Sequence, residues 1–279
     1  MSKRGKSGLL SRVLGSGDRL ASGLAVAALS LLAGFISLPM IALILWTANE
    51  NAWRAMATPA AREALFLSIR TTSISMMIII LVGTPAAYVL ARAEFPGKRA
   101  IDSLIDVPAV LPPSAAGIAL LLAFGRFGLV GQYLEAFGVT ISFTTAAVVI
   151  AEVFVASHFY VRQAVVGFAR VRRDVEEAAM VDGASRFSVF TRVTVPLAFP
   201  ALVAGAVMAW ARALGEFGGT IIFAGSFPGV TQTIPLAILA EFQRDLDAAV
   251  ALSVLVLGFA FAVILGVRYL TARSTGDRA

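Results

Sequence analysis

The sequence predicts an all-α integral membrane protein with six transmembrane helices. Of the 279 residues, 58% are hydrophobic and only 14% are charged, and the mean hydropathy is +0.85. A soluble protein of this length needs more polar residues to cover its surface. The apolar residues also fall in blocks of about 20 residues or more, the length at which a helix crosses the hydrocarbon core of a bilayer. Together these observations exclude a soluble globular protein.

The first two predicted spans are long and contain few charges. The first covers residues 20–49 and follows a basic N-terminal segment. A cleavable secretory signal has an apolar region of only about 7 to 15 residues, so we interpret this segment as an uncleaved spanning helix. The second covers residues 64–91 and contains a single charged side chain, Arg70.

The third predicted span, residues 105–124, contains Pro108, Pro112, Pro113 and Gly117. These residues bend or loosen a helix. Because backbone groups freed by a bend cannot face lipid, we expect this segment to pack within a bundle or to line a polar path. Pro112 and Pro113 indicate either a break along that path or a permanent packing kink, and the sequence leaves both interpretations open.

The fourth and fifth spans carry charged residues within apolar sequence. The fourth covers residues 142–168, and the fifth begins near Val195 and continues to Glu216. The stretch 217–240 is uncharged, but its glycines and prolines favour a folded outer loop with a short helix over residues 235–242.

The sixth span covers residues 248–267, which leaves residues 169–194 as the longest polar connection. This connection is the predicted docking site for a partner protein.

Lysine and arginine are distributed unevenly between the two sides of the membrane. One side holds the N-terminal Lys3, Arg4, Lys6, Arg12 and Arg19, then Arg92, Lys98 and Arg99, then Arg170, Arg172, Arg173, Arg186 and Arg192, and finally Arg268, Arg273 and Arg278. The other side holds Arg54, Arg62, Arg126 and Arg244. Cytoplasmic loops of membrane proteins are enriched in these residues. We therefore expect both termini and residues 169–194 to lie in the cytoplasm.

Composition and motifs argue against an enzyme. The chain has no cysteine and one histidine, so neither a thiolate nor a multi-histidine metal site is expected. The segment Gly5–Lys6–Ser7 lacks the upstream glycine of a phosphate-binding loop, and no zinc-protease or serine-hydrolase motif is present. We expect no catalytic residue, no metal site and no cofactor bound by this chain.

Residues 172–196 predict a short helix, a sharp exit and a second helix. Asp174 is the expected N-cap with Glu177 as its reciprocal partner, and Gly183 is expected to end the helix in the left-handed conformation. Ser185 is expected to cap the next turn, and Thr194 with Pro196 to begin the fifth span. Such a short helix suits either the groove of another protein or the membrane surface, and physical chemistry alone leaves both open.

The spacing of Glu177, Ala178, Ala179, Gly183 and the terminal Val-Thr-Val-Pro sequence at 193–196 resembles the EAA loop of permease subunits of ABC importers. Valine stands at both aliphatic positions, where that family usually has isoleucine and leucine. The resemblance implies a type I ABC importer permease (MetI-like) fold and a coupling helix that a cytoplasmic ATPase grips. The implied coupling residues are Glu176, Glu177, Ala178, Ala179, Asp182, Gly183, Ala184, Arg186 and Pro196.

Two further segments, 93–131 and 211–238, resemble the molybdate permease subunits within that family. They share the motifs FPGK, VLPP, GRxGxxG, GEFG and TIP. The resemblance implies import of a tetrahedral oxyanion, molybdate first, with sulfate or tungstate as alternatives. An ion-coupled secondary transporter is a remoter alternative, for which an inverted repeat is expected and none is evident.

The same resemblance implies the partners and the domain organisation. The implied partners are cytoplasmic ABC ATPase subunits that carry ATP and Mg, an extracytoplasmic substrate-binding protein, and a second permease copy in a homodimer. The resemblance covers residues 64–270, a core with five transmembrane helices and the coupling loop 169–194. Residues 1–63 comprise the basic N-terminus, first transmembrane helix and outer loop, and residues 271–279 a cytoplasmic tail.

Charged side chains inside the membrane each require a partner, water or an interface. Arg212 and Glu216 are four residues apart and are expected to pair. One hypothesis is that Arg70 and Arg212 attract a dianion below an outer gate; the alternative is that Arg212 and Glu216 neutralise each other while Arg70 reaches the interface. The residues assigned to translocation are Arg70, Pro112, Pro113, Arg212 and Glu216.

The fourth span carries Glu152, His158 and Arg162 within apolar sequence. These side chains form either a proton relay or groups that are satisfied inside the bundle.

Overall fold

The computed structural model describes residues 19–47 and 58–276, and every regular element in these ranges is a helix. The chain divides into two units, Met1–Glu50 and Asn51–Ala279. The helices are α1 (Arg19–Trp46), α2 (Pro59–Arg92), α3 (Lys98–Val110), α4 (Pro113–Phe124), α5 (Gly131–Ala136), α6 (Thr145–Arg170), α7 (Arg173–Val181), α8 (Arg186–Val189), α9 (Val195–Leu214), α10 (Gly218–Phe223), α11 (Ile234–Phe242) and α12 (Leu246–Gly276). A π-helical segment, Phe190–Thr194, joins α8 to α9.

The helical pattern confirms the multi-span class. Judged by length and composition, five helices of the described residues are able to cross a membrane, or up to six if a bent pair counts as one span. In the first unit, α1 ends at Trp46, and the predicted extension to residue 49 lies outside the described residues. The division of the chain at residues 63 and 270 stays a prediction.

The bent pair is the predicted third span. Helices α3 and α4 meet at an angle of 118°. Pro112 adopts an extended conformation and Pro113 occupies the first turn of α4, where its missing N–H breaks no intrahelical hydrogen bond. The predicted helix break at this proline pair is therefore present.

Helices α2, α6 and α9 form the main core of the second unit. Met76 and Ile79 of α2, Tyr160 and Phe168 of α6 and Leu202 of α9 belong to one buried cluster. Small residues let the helix backbones approach closely. A Cβ atom added at Gly167 would lie 2.6 Å from Ala201 Cβ, and one at Gly205 would lie 2.8 Å from Gln163 Cβ. Close packing of this kind substitutes for hydrophobic driving force between helices in lipid.

Several predicted boundaries require correction. Helix α2 begins at Pro59, before the predicted residue 64, because Thr58 Oγ1 accepts a hydrogen bond from the Ala61 N–H at 3.3 Å. The predicted outer loop contains α10 in addition to the expected short helix, which is present as α11.

One predicted helix start is confirmed in part and another is wrong. Helix α9 begins at Val195 with Pro196 in its first turn, as predicted, but Thr194 has helical angles (φ −68°, ψ −50°) and the span is continuous with the helical segments from Arg186. Asp174 is not an N-cap, because Arg172 holds that position and Asp174 lies in the first turn of α7. In that turn the Asp174 carboxylate pairs with the Arg172 guanidinium.

Candidate functional site

Helix α7 ends in the manner that Gly183 predicts. Gly183 has φ +89°, a left-handed conformation that glycine adopts without steric cost. Its N–H donates to the Met180 carbonyl at 3.0 Å, and the Ala184 N–H donates to the Ala179 carbonyl at 3.1 Å. These two bonds form a Schellman motif. Ser185 then caps α8, since its hydroxyl accepts from the Ser188 N–H at 3.2 Å.

Most of the predicted coupling residues lie on an exposed surface. Glu177, Ala178, Asp182, Gly183 and Arg186 are exposed, while Ala179 and Ala184 are half-buried. Pro196 is also exposed, but it lies in the first turn of α9 rather than on α7.

Apolar side chains flank this surface. Val181 is 87% exposed and Phe187 is 76% exposed. In the described part of this unit, Val181 of α7 and Phe187 of α8 therefore give a small apolar patch beside charged residues, which is the chemistry that a protein partner needs for docking.

Glu176 points the other way and is the single buried side chain of α7. Its Oε1 lies 3.0 Å from Nη2 of Arg92, at the end of α2. The same oxygen accepts a hydrogen bond of 2.6 Å from Thr194 Oγ1. Sequence reasoning missed both partners, because nothing in the local pattern around Arg92 or Thr194 indicates a contact with α7.

A cavity of about 330 Å³ lies beside this contact. It is lined by Tyr88, Arg92, Arg173, Glu176, Glu177, Met180, Arg186 and Val189. Both charged and apolar side chains line this cavity. It leaves open space between α7 and the end of α2.

The predicted Arg212–Glu216 pair is present at the other end of the bundle. Arg212 Nη2 lies 2.6 Å from Glu216 Oε2, and the Glu216 side chain is only 1% exposed. Glu216 lies just beyond the end of α9, and its Oε1 accepts a hydrogen bond of 2.7 Å from the Gly219 N–H in the first turn of α10. The carboxylate thus joins two helices.

The other residues assigned to translocation are not brought into contact with this pair. Arg70 is exposed on α2 and has no ion pair among the described residues. Pro113 packs against α10, where a Cβ added at Gly218 would lie 2.4 Å from Pro113 Cβ. Pro112 stands at the start of α4. Their role in translocation stays a prediction.

Glu152 lies in α6 and is buried against hydroxyl groups of α2. Thr71 Oγ1 donates to its Oε1 at 2.8 Å, and Ser75 Oγ donates to its Oε2 at 2.7 Å. These bonds satisfy the carboxyl group inside the bundle, as one of the two interpretations of this residue required.

His158 and Arg162 belong to a separate network with α3. Arg162 donates from Nε to Asp106 and from Nη1 to Asp102, both at 2.6 Å, and His158 Nδ1 lies 3.0 Å from Asp106. Among the described residues, no contact joins this network to Glu152. Glu152, His158 and Arg162 therefore form no continuous proton relay. No group of three or more metal-binding side chains occurs in the described ranges either.

Comparison with known sequences gives a consistent family match. The profile of a family described as "Binding-protein-dependent transport system inner membrane component" matches residues 79–275. The molybdenum transport system permease protein ModB of Mycobacterium tuberculosis is 45% identical over 245 residues, which cover 88% of this chain and 92% of the relative. A probable sulfate transport system permease protein of Chlorokybus atmophyticus is 32% identical over 246 residues, which cover 87% and 86% respectively.

A solved structure supports the fold. The crystal structure of a bacterial alginate ABC transporter, in complex with an alginate pentasaccharide-bound periplasmic protein, contains a chain that matches with a TM-score of 0.72. The match covers 92% of this chain and 95% of that chain at 14% sequence identity, which supports the architecture and not the substrate.

Proposed function

This chain belongs to the family of binding-protein-dependent transport system inner membrane components, and from that premise we propose that it is the membrane-spanning subunit of an ATP-driven molybdate importer. The observation that carries the substrate is the identity with molybdenum permeases along most of the chain. Sulfate permeases are more distant relatives, so sulfate and tungstate are the alternative oxyanions.

In the proposed mechanism, two copies of this chain form the pathway and two cytoplasmic ATPases supply the energy. ATP and Mg bind to the ATPases and not to this chain, which is a transport subunit without catalytic residues. Helix α7 is the coupling helix, and the exposed apolar patch of Val181 on α7 and Phe187 on α8 suits insertion into an ATPase groove. Closure of the ATPases moves α7, and this movement opens the bundle towards the outside.

The orientation of the chain follows from its charge distribution. Both termini and α7 face the cytoplasm, since the lysines and arginines are concentrated on that side. The opposite side receives an extracytoplasmic binding protein. We expect substrate selection in that protein, because a tight anion site in the membrane would slow release.

Within the membrane, the paired Arg212 is a weak anion ligand. Glu216 already neutralises its charge at 2.6 Å. Arg70 is exposed and unpaired among the described residues, so it is the better of the two for transient attraction of a dianion. The break at Pro112 and Pro113 is the proposed outer end of the pathway.

Reconstituted vesicles test the proposal. Vesicles that contain this chain, its ATPase and its binding protein should accumulate labelled molybdate only when ATP is enclosed on the ATPase side. Excess tungstate and sulfate should be compared as competitors. Stronger competition by sulfate than by unlabelled molybdate would identify sulfate as the preferred substrate. Uptake driven by an ion gradient without ATP would identify a secondary transporter.

A further inference from the structure

Helix α7 buries one side chain against the rest of the bundle, Glu176, and Arg173 adds a longer hydrogen bond of 3.5 Å from its Nη2 to the Arg92 carbonyl. Of the residues of α7, Glu176 alone is buried, with 8% of its surface exposed. A carboxylate in such a position is costly unless it is paired and hydrogen-bonded. The contacts of Glu176 therefore decide how α7 is held.

Those contacts reach two different spans. Arg92 is the last residue of α2, and its Nη2 lies 3.0 Å from Glu176 Oε1. The same guanidinium donates to the Val171 carbonyl, which directly follows α6, at 2.8 Å. Thr194 precedes α9, and its hydroxyl donates to Glu176 Oε1 at 2.6 Å. One carboxylate oxygen thus joins α7 to the ends of α2 and α9.

The π-helical segment gives a second observation on the same site. Phe190–Thr194 is π-helical, and such segments are rare and occur frequently at functional sites. Thr194 is fully buried at its end, and its hydroxyl has a second acceptor, the Val189 carbonyl, at 3.4 Å. Thr194 is therefore able to exchange the bond to Glu176 for a backbone acceptor within its own segment.

We propose that Arg92, Glu176 and Thr194 form a positioning node that makes α7 move together with α2 and α9. In this role Glu176 acts inward and does not contact the ATPase, whereas Glu177 and the patch at Val181 and Phe187 contact it. The inference rests on the proposed function, because it describes how movement of the coupling helix reaches the membrane spans.

The surroundings of the ion pair are only partly filled. The cavity of about 330 Å³ is lined by residues of α2, α7 and α8, and the other polar contact between α7 and α2 is the longer Arg173 bond to the Arg92 carbonyl, at 3.5 Å. The Arg92 guanidinium also donates to the uncharged Val171 carbonyl, and Glu176 is the carboxylate that forms an ion pair with it. Loss of the carboxylate would leave a half-buried cation without this counter-charge.

The test uses the complete complex of this chain, its ATPase and its binding protein in vesicles. Glu176→Gln keeps an oxygen that accepts from Thr194 but removes the charge that pairs with Arg92. We expect molybdate uptake per ATP hydrolysed to fall roughly tenfold, as for loss of one charge-assisted hydrogen bond, while ATPase binding and basal hydrolysis persist. The matched control is Asp174→Asn, which removes an exposed carboxylate of the same helix and should leave the ratio within about twofold of wild type.

Thr194 provides a second test if Glu176→Gln fails to assemble. Thr194→Ser keeps the hydroxyl and should retain the uptake ratio, whereas the similarly shaped Thr194→Val should lower it. Equal ratios for these two variants, or an unchanged ratio in an assembled Glu176→Gln complex, would overturn the node. Failure of the wild-type complex to bind an ATPase or to take up anion would instead contradict the proposed function.

Discussion

At the scale of single residues, the buried charges of this chain are satisfied by partners on other helices. Arg212 and Glu216 differ, because the two partners are only four residues apart in the chain. The Glu216 carboxylate is nevertheless almost fully buried. Glu216 also accepts from the Gly219 N–H. Removing one member of such a pair leaves the other uncompensated, which costs more than the pair itself contributes.

We therefore predict that Arg212→Ala lowers the free energy of unfolding by about 3–5 kcal/mol. The double variant Arg212→Met with Glu216→Gln should recover most of that loss, because the amide oxygen still accepts from Gly219 and no buried charge remains. Denaturant unfolding in detergent measures both. As a control, Arg126→Ala breaks an exposed ion pair with Glu135 and should cost less than about 1 kcal/mol.

The double variant also tests the role of Arg212 in translocation. If Arg212 attracts the anion, the stable double variant should take up molybdate more slowly than wild type at equal protein level. Unchanged uptake would eliminate that hypothesis and leave a structural role.

At the scale of helices, the end of the second unit opposite α7 depends on contact between α4 and α10, each of which follows an interruption in the helical chain. Helix α4 follows the break at Pro112, and α10 follows the short connection after α9. The two helices meet through glycines. A Cβ added at Gly117 would lie 2.9 Å from both the Gly219 carbonyl oxygen and Ile222 Cβ. Because backbone is the obstacle, the helices would have to separate to admit a methyl group.

Gly117→Ala is predicted to destabilise the chain by about 1–3 kcal/mol through this overpacking. The melting temperature in detergent is the measurement. Gly258→Ala, in α12, is the matched control because no atom lies within 4 Å of its added Cβ and alanine favours a helix. Equal melting temperatures for Gly117→Ala and wild type would show that α4 and α10 do not need this close approach.

Helix α3 is attached in a different way. It buries no side chain in the described structure, and Arg162 of α6 binds Asp102 and Asp106 on one of its faces. Its other exposed residues include Leu104 and Val110. The charged network and Ile105, which packs against the main buried cluster, thus hold α3, while the exposed Leu104 and Val110 suit lipid or a neighbouring protein chain.

At the scale of the whole molecule, the two ends of the second unit differ in the chemistry that they expose. The end with α7 presents arginines and the apolar patch at Val181 and Phe187. The end with α11 has an opening of about 440 Å³ that is lined in part by Glu241, Asp245 and Asp247. This contrast agrees with a basic cytoplasmic end and with the orientation proposed above.

The absence of cysteine from the sequence makes this orientation directly testable. Val181→Cys places a thiol on a residue that is 87% exposed, and Phe227→Cys places one at the opposite end on a residue that is 49% exposed. A membrane-impermeant maleimide should label residue 227 in cells with an intact inner membrane. It should label residue 181 only after permeabilisation.

Labelling of residue 181 from outside would reverse the orientation and remove α7 from reach of a cytoplasmic ATPase. Wild-type protein is the control, since it offers no thiol to the reagent.

The sequence by itself determined the multi-span class, the left-handed Gly183 and the Arg212–Glu216 pair, and it located the interruption at Pro112 without deciding between a break and a kink. Each of these depends on hydropathy over one span or on chemistry within about one helical turn, which the order of residues specifies directly. Tertiary structure alone decided that Glu176 turns inward to Arg92 and Thr194 and that Arg162 binds Asp102 and Asp106. It also decided that Glu152 binds Thr71, a residue 81 positions away. Such partners come into contact only when separate helices pack, and a local sequence pattern does not specify which helix faces will be in contact.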